Sequence, residues 1–225
     1  MISSSFSRNG VYVREQQSPR QKVRLNLGCG DDTRSGYINV DLEGRPPYIQ
    51  GWDLRVTPWP WIDSVAEEIL MIDFLEHLEW RFTEDILLEA RRVLIDSGRL
   101  VVQVPDFLHC AHAMLHFELP FVFKCNCCGW DWEYGDYESN VGESVIKNCR
   151  QCGQSIDDVA TAAMRRLYGG QDSPGNYHKA AFTRESLTGL LLRCGFARVE
   201  EDQISHQWAN WNFLLVASGR SPIRF

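Results

Sequence analysis

Val23 to Leu27 (Val-Arg-Leu-Asn-Leu) runs straight into Gly28-Cys29-Gly30, and the next short apolar stretch, Tyr37 to Val40, ends at Asp41. Two glycines one residue apart at the end of a strand let the backbone turn with φ > 0 and lie close to a ligand, where a Cβ would intrude. In an open α/β sheet, ligands bind beyond the carboxyl ends of the strands, and an acid at the end of the second strand can accept both hydroxyls of a ribose. The third glycine of a dinucleotide fingerprint is missing, because position 33 is Thr33. The link from Gly30 to Tyr37 is also too short for a helix whose N-terminus could hold a pyrophosphate. NAD is therefore disfavoured, and a nucleoside ligand without phosphates fits better.

The rhythm of short strands continues along the chain. Tyr48 to Trp52 reads as a third strand, in a stretch broken up by Pro46, Pro47, Pro58 and Pro60. Glu68 to Ile72 is a fourth. Glu84 to Leu94 places Ile86, Leu87, Ala90 and Leu94 on one face of an amphipathic helix, ended by Asp96-Ser97-Gly98. Arg99 to Val104 is a buried fifth strand stopped by Pro105. Thr183 can cap a helix through Arg193, with Cys194-Gly195 as its stop. Ala197 to Ile204 and Asn212 to Ala217 are the last two strands, antiparallel because their connection is short. Strand, turn, helix and strand, repeated five times, predict an α/β fold: a Rossmann-like, seven-stranded, mostly parallel sheet with an antiparallel C-terminal hairpin. The expected division is a flexible basic tail (1–22), a core (23–106 and 168–220) and an insertion (107–167) with an aromatic-rich helix, cysteine turns and a helix from Ile156 to Tyr168.

The insertion carries Cys125-Asn126-Cys127-Cys128-Gly129 and Cys149-Arg150-Gln151-Cys152-Gly153, two Cys-x-x-Cys-Gly turns with 20 residues between them. Two thiolates at that spacing converge on one metal, and four close a tetrahedron with no open position. The pattern predicts a structural Zn2+ on Cys125, Cys128, Cys149 and Cys152, with Cys127 as the alternative to Cys125. Cys29, Cys110 and Cys194 read as buried apolar residues. Zinc ribbons also bind nucleic acid, but Asp131, Glu133, Asp136, Glu138 and Glu143 lie between these turns against Lys147 alone. Phosphate contact demands the opposite sign. Trp130, Trp132, Tyr134 and Tyr137 suit packing around a small core better than stacking on bases.

The formal net charge of −7 disfavours a general phosphate-backbone binder. Five basic side chains (Arg8, Arg14, Arg20, Lys22, Arg24) against Glu15 mark the first residues as a solvated tail or an arm for a partner. No apolar run reaches the roughly 18 residues needed to span a bilayer, and Met1 to Gln21 lacks the apolar stretch of a secretory signal. The expected location is cytoplasmic.

Leu25-Asn26-Leu27-Gly28-Cys29-Gly30 followed by Gly36-Tyr37-Ile38-Asn39-Val40-Asp41-Leu42 resembles the first two motifs of class I S-adenosylmethionine-dependent methyltransferases. The likeness is greatest to the bacterial and phage branch found with polysaccharide and small-molecule modification. Asp53-Leu54 before Pro58-Trp59-Pro60, Ile72-Asp73-Phe74-Leu75-Glu76-His77-Leu78 and Arg92-Val93-Leu94 through Gly98-Arg99-Leu100 resemble later motifs of that branch in order. The resemblance implies S-adenosyl-L-methionine as cofactor. Gly28 and Gly30 would face its methionine part, Asp41 its ribose, Asp53 and Leu54 its adenine and Asp73 its amino-acid end, with Asn26 also in the binding set. Read without the resemblance, Asp53 is a loop-capping acid and Asp73 a helix N-cap before Phe74. Glu76 and His77 read as orienting the following helix.

Leu167-Tyr168-Gly169-Gly170-Gln171 through Pro174-Gly175-Asn176-Tyr177 to His178-Lys179 resembles a segment lying over the active site in the same branch. Methyl transfer depends chiefly on alignment, and an oxygen acceptor profits from a base near neutral pKa. His178 is the candidate catalytic group. No Asp-Pro-Pro-Tyr-like motif or Pro-Cys nucleophile is present, and Pro105 is followed by Asp106. The expected reaction is therefore methyl transfer to a hydroxyl or amine of a small molecule or sugar. A catalytically silent binding module and a nucleic-acid methyltransferase using the ribbon are the alternatives.

Overall fold

The computed structural model describes residues 22–114, 122–124, 131–133, 151–153, 159–204 and 211–223. Its strands are β1 (Val23–Leu27), β2 (Ile38–Asp41), β3 (Ile49–Gly51), β4 (Ala66–Ile72), β5 (Leu94–Pro105), β6 (Val122–Lys124), β7 (Asp131–Glu133), β8 (Arg198–Asp202) and β9 (Asn212–Ser218). Its α-helices are α1 (Thr83–Val93), α2 (Phe107–Met114), α3 (Val159–Tyr168) and α4 (Arg184–Arg193). Seven strands form one sheet in the order β3-β2-β1-β4-β5-β9-β8, while β6 and β7 pair separately and antiparallel. β1 to β5 run parallel, and β9 and β8 are antiparallel to their neighbours. This is the expected Rossmann-like sheet with its antiparallel C-terminal edge.

The sheet is apolar because its central strands are covered on both faces. Leu25, Leu27, Ile69, Met71, Leu100, Val102 and Val104 are all fully buried. α1 adds Ile86, Leu87, Ala90 and Val93, and its termini suit the helix dipole, with Glu84 and Asp85 in the first turn and Arg91 and Arg92 in the last. Buried Glu89 of this helix accepts a hydrogen bond from the Trp59 backbone and pairs with Arg92, pinning the loop between β3 and β4. A smaller apolar cluster of Cys110, Ala113, Ala163 and Trp211 joins α2 to α3. β8, at one edge of the sheet, exposes Arg198, Glu200, Glu201 and Asp202.

Two expectations need correction. The links from β2 to β3 and β3 to β4 contain no α-helix, nor does the β1–β2 link, whose shortness already excluded one, so the strand–helix alternation holds only from β4 onward. Pro46, Pro47, Pro58 and Pro60 oppose helix in the two later links by lacking the backbone N–H. β5 also starts at Leu94 rather than Arg99, because the helix gives way at once and Leu94 pairs with Ala66. The next pair is Glu68 with Arg99, so the intervening residues bulge out of the ladder. No helix among the described residues is long and apolar enough to cross a membrane.

Candidate functional site

Parallel strands put their carboxyl ends on one edge, and the candidate residues collect there. Gly28 and Gly30 have φ of +67° and +50°. The amides of Gly28 and Cys29 both donate to the Val40 carbonyl, at 2.8 and 3.1 Å, which folds the turn over the end of β2. A Cβ on Gly28 would lie 2.0 Å from the Phe74 ring, so glycine is required by both conformation and space. Gly30 has open space where a side chain would be. Its amide donates to Asp41 Oδ2 at 2.8 Å, and its carbonyl accepts from Arg45 Nη2 at 2.7 Å. Asn26 is buried beneath the turn, where its Nδ2 donates to the Asp32 carbonyl at 2.7 Å and to Asn39 Oδ1 at 3.0 Å.

β2 passes this geometry to the next segment. The Trp52 amide donates to the Asp41 carbonyl at 2.9 Å, which brings Asp53 and Leu54 alongside the glycine turn. The Asp53 carboxylate accepts from the Arg55 amide at 3.0 Å, from its Nε at 2.9 Å and from its Nη2 at 2.8 Å. These bonds hold its carboxyl below the usual carboxylate range. Leu54 is buried, with its carbonyl accepting from Trp59 Nε1 at 2.9 Å. Asp73 follows β4 with φ of +48°, its Oδ1 accepting from Gln103 Nε2 at 3.0 Å and Asn212 Nδ2 at 2.6 Å. It does not cap the 3-10 turn Leu75–His77, which begins after Phe74 with no side-chain cap.

That turn carries residues of greater consequence. The Glu76 carbonyl accepts from the amides of Lys179 and Ala180, at 2.6 and 3.1 Å, which anchors the His178 segment against it. The segment is itself tightly folded: a Cβ on Gly169, whose φ is +78°, would strike the Asn176 carbonyl oxygen at 2.3 Å. The His77 and His178 rings therefore meet edge to face, with centroids 4.6 Å apart. One donor atom each from Glu76, His77 and His178 lie within 4.8 Å of one another. Glu76 is 1% exposed and neither carboxylate oxygen has a hydrogen-bond partner among the described residues. Burial, reinforced by Asp73, holds this carboxyl well above its ordinary value, against a weaker pull from its own amide and Arg166.

His178 Nδ1 lies 2.8 Å from the Arg166 carbonyl, so Nδ1 carries the proton and Nε2 keeps its lone pair. Burial and the neighbouring His77 lower its pKa to about 4. Burial also lowers that of His77, against the opposing pull of the Gly175 and Tyr177 carbonyls. A narrow cleft runs beside the cluster, lined by Glu76, Pro105, Arg166, His178, Ala180 and Phe182.

No protein-family model matches the sequence, and no curated protein matches it. Solved structures do match. A S-adenosylmethionine-dependent methyltransferase from Methanosarcina mazei is 15% identical, with a TM-score of 0.50 over 90% of this chain and 94% of that one. The CMeT domain of the citrinin polyketide synthase is 13% identical, also with a TM-score of 0.50 over 90% of this chain. This chain spans 47% of the length of that structure. The fold is that of class I S-adenosylmethionine-dependent methyltransferases. At these identities the likeness concerns the fold alone.

On this methyltransferase fold, the sequence-level candidates Asn26, Gly28, Gly30, Asp41, Asp53, Leu54 and Asp73 all fall on or just below one sheet edge. Three of the four expected zinc ligands, Cys125, Cys128 and Cys149, lie outside the described residues, as does Cys127; Cys152 is exposed in a turn. Cys29, Cys110 and Cys194 are buried, and burial pushes the thiols of Cys110 and Cys194 up to about 12. Thiols in that condition pack as apolar groups. Sequence reasoning gave Glu76 and His77 a supporting role and did not join them to His178. Buried acids without partners are rare, and the Glu76-His77 pair beside a strand end was the available signal.

Proposed function

We propose that this protein transfers a methyl group from S-adenosyl-L-methionine to a small acceptor, a hydroxyl or amine of a small molecule or sugar. One observation carries the reading. On a class I methyltransferase fold, the glycine turn with Asp41 and the Glu76–His77–His178 cluster occupy the same sheet edge, over adjacent strands. The open space at Gly30 and the carboxylate of Asp41 fit the amino-acid and ribose parts of the cofactor. Asn26 acts from below by holding the turn, Asp53 and Leu54 border the adenine, and Asp73 faces the amino-acid end. The cofactor, when bound, supplies an electrophilic methyl group on a sulfonium.

The remaining work belongs to the chain. A site that aligns the acceptor converts an encounter into an in-line displacement, and alignment supplies most of the acceleration. The acceptor would approach the cofactor from the side of Glu76 and His178. A His178 ring held at about 4 is neutral near pH 7, so its Nε2 accepts the hydrogen bond of an acceptor hydroxyl and orients it. The proton released on methylation passes from there to solvent. The insertion, residues 107–167, walls the acceptor side, and its Cys125, Cys128, Cys149 and Cys152 hold Zn2+ structurally.

Calorimetry with S-adenosylhomocysteine tests this reading against a silent binding module. Binding with a matching rise in melting temperature is expected. Neither heat nor thermal shift at millimolar ligand would sink it.

A further inference from the structure

We propose that Glu76, His77 and His178 bind a divalent first-row metal ion, of the zinc or iron(II) type, distinct from any ion on the insertion cysteines. Glu76 is sealed from water with both oxygens unpartnered among the described residues, although an unpaired buried acid costs several kcal/mol and is normally hydrogen-bonded or neutralised. Arg166 is near enough to favour the charged form slightly but makes no hydrogen bond to Glu76. A cation between the carboxylate and the two imidazoles removes the deficit at a stroke.

A histidine that ligates metal donates its other ring N–H to a carbonyl or carboxylate, which fixes the ring and directs the lone pair. His178 does this, with Nδ1 on the Arg166 carbonyl and Nε2 left to coordinate. His77 has a buried Nδ1 without a hydrogen-bond partner among the described residues, which leaves that nitrogen to coordinate. Both rings thus offer one bare nitrogen. Two imidazoles and one carboxylate are a donor set for zinc, iron(II), cobalt(II) or nickel(II), not for magnesium or calcium.

Donors about 2.0–2.2 Å from a tetrahedral ion sit roughly 3.3 Å from one another. The three donor atoms here lie within 4.8 Å. Closing a gap of about 1–1.5 Å takes small side-chain torsions, and the backbone bonds of Lys179 and Ala180 to Glu76 already hold the two segments together. Three protein ligands leave a coordination position open. The use of the ion in methyl transfer rests on the function proposed above: it would hold the acceptor hydroxyl in place of the ring and lower its pKa, with the proton leaving to water. The site itself does not depend on that reaction.

Cobalt(II) separates this site from the cysteine site, because thiolate ligands give intense charge-transfer bands and nitrogen–oxygen ligands do not. Metal-free full-length protein titrated with Co2+ should acquire weak visible bands beyond any thiolate spectrum. Those bands, and one metal per chain by mass spectrometry, should vanish in Glu76→Gln and in His178→Ala and persist in Cys149→Ser. Circular dichroism and S-adenosylhomocysteine calorimetry on the same samples report whether each variant is folded. The wild-type spectrum needs no variant, so the site falls if wild type takes up only thiolate-bound cobalt or none. It falls equally if folded Glu76→Gln and His178→Ala keep the weak bands. Cobalt bound without cofactor binding would remove the methyltransferase reading and leave the metal site standing; the reverse result would remove the metal alone.

Discussion

Asp41 already spends one carboxylate oxygen on the Gly30 amide, so a ribose would have to share or displace that bond. The net effect of Asp41→Ala on cofactor binding is therefore expected at about 2 kcal/mol, near the lower end for losing charge-assisted hydrogen bonds. Calorimetry with S-adenosylhomocysteine checks it, and unchanged affinity would reduce Asp41 to a brace for the turn. Glu68 is the contrasting acid, nearly buried, accepting from the Tyr37 hydroxyl and the Arg99 guanidinium. Burial raises its carboxyl, but those two bonds outweigh burial and leave it below the usual value. A carboxyl depressed by folding stabilises above its unfolded pKa, and that stability is lost as pH falls through the folded value. Glu68→Gln should thus cost about 1 kcal/mol at neutral pH, with the difference from wild type shrinking in acid. Urea melts at several pH values decide it; a pH-independent difference would rule out the charge as its source. Gly28 and Asp41 were legible because strand end, glycine turn and acid are neighbours in sequence. Glu76 was not, since its meaning comes from a histidine brought up by a distant loop.

The helix α4 illustrates an element written locally. Thr183 Oγ1 accepts from the Ser186 amide at 3.2 Å, and Ser186 Oγ accepts from the Thr183 amide at 2.9 Å, closing a capping box. Thr183→Ala should cost about 1 kcal/mol and lower the melting temperature by roughly 2–4 °C. A melting curve that does not move would mean that Arg184, paired with Asp106 and Glu201, fixes the helix start unaided. The cap was readable from Thr183 and from the stop at Cys194-Gly195. β5 was harder, because Asp96-Ser97-Gly98 is turn chemistry in sequence but a bulge in the sheet. Local propensity there yields to pairing with β4. The β2–β3 and β3–β4 connections misled for the opposite reason: the repeated strand spacing suggested helices that proline-bearing links cannot form.

The main apolar core draws on residues from Val23 to Val104 and from Ala180 to Ala217, and none of the insertion's described residues belongs to it. Chelation or Cys149→Ser should accordingly open residues near 120 to 155 to protease while S-adenosylhomocysteine binding persists. Limited proteolysis beside calorimetry reads both; equal loss of the two would show that the insertion supports the whole fold. The overall architecture was legible because a parallel sheet needs long apolar strands, whereas the metal chemistry depends on side chains gathered across it. The outer strand β8 has a consequence for the protein in company. Its neighbour β9 satisfies one side of it, and among the described residues no strand pairs with the other, leaving a row of amides and carbonyls there for a second chain. Glu200, Glu201 and Asp202 project from that row, and Arg198, the one cation on the strand, sits 3.9 Å from Glu200. Two copies meeting there would set acid against acid at cross-strand distance. The opposite edge, β3, is only three residues long and gives little to grip. The sheet thus stops growing at seven strands by repulsion on one side and brevity on the other, so crowding such molecules together should not zip them into ribbons.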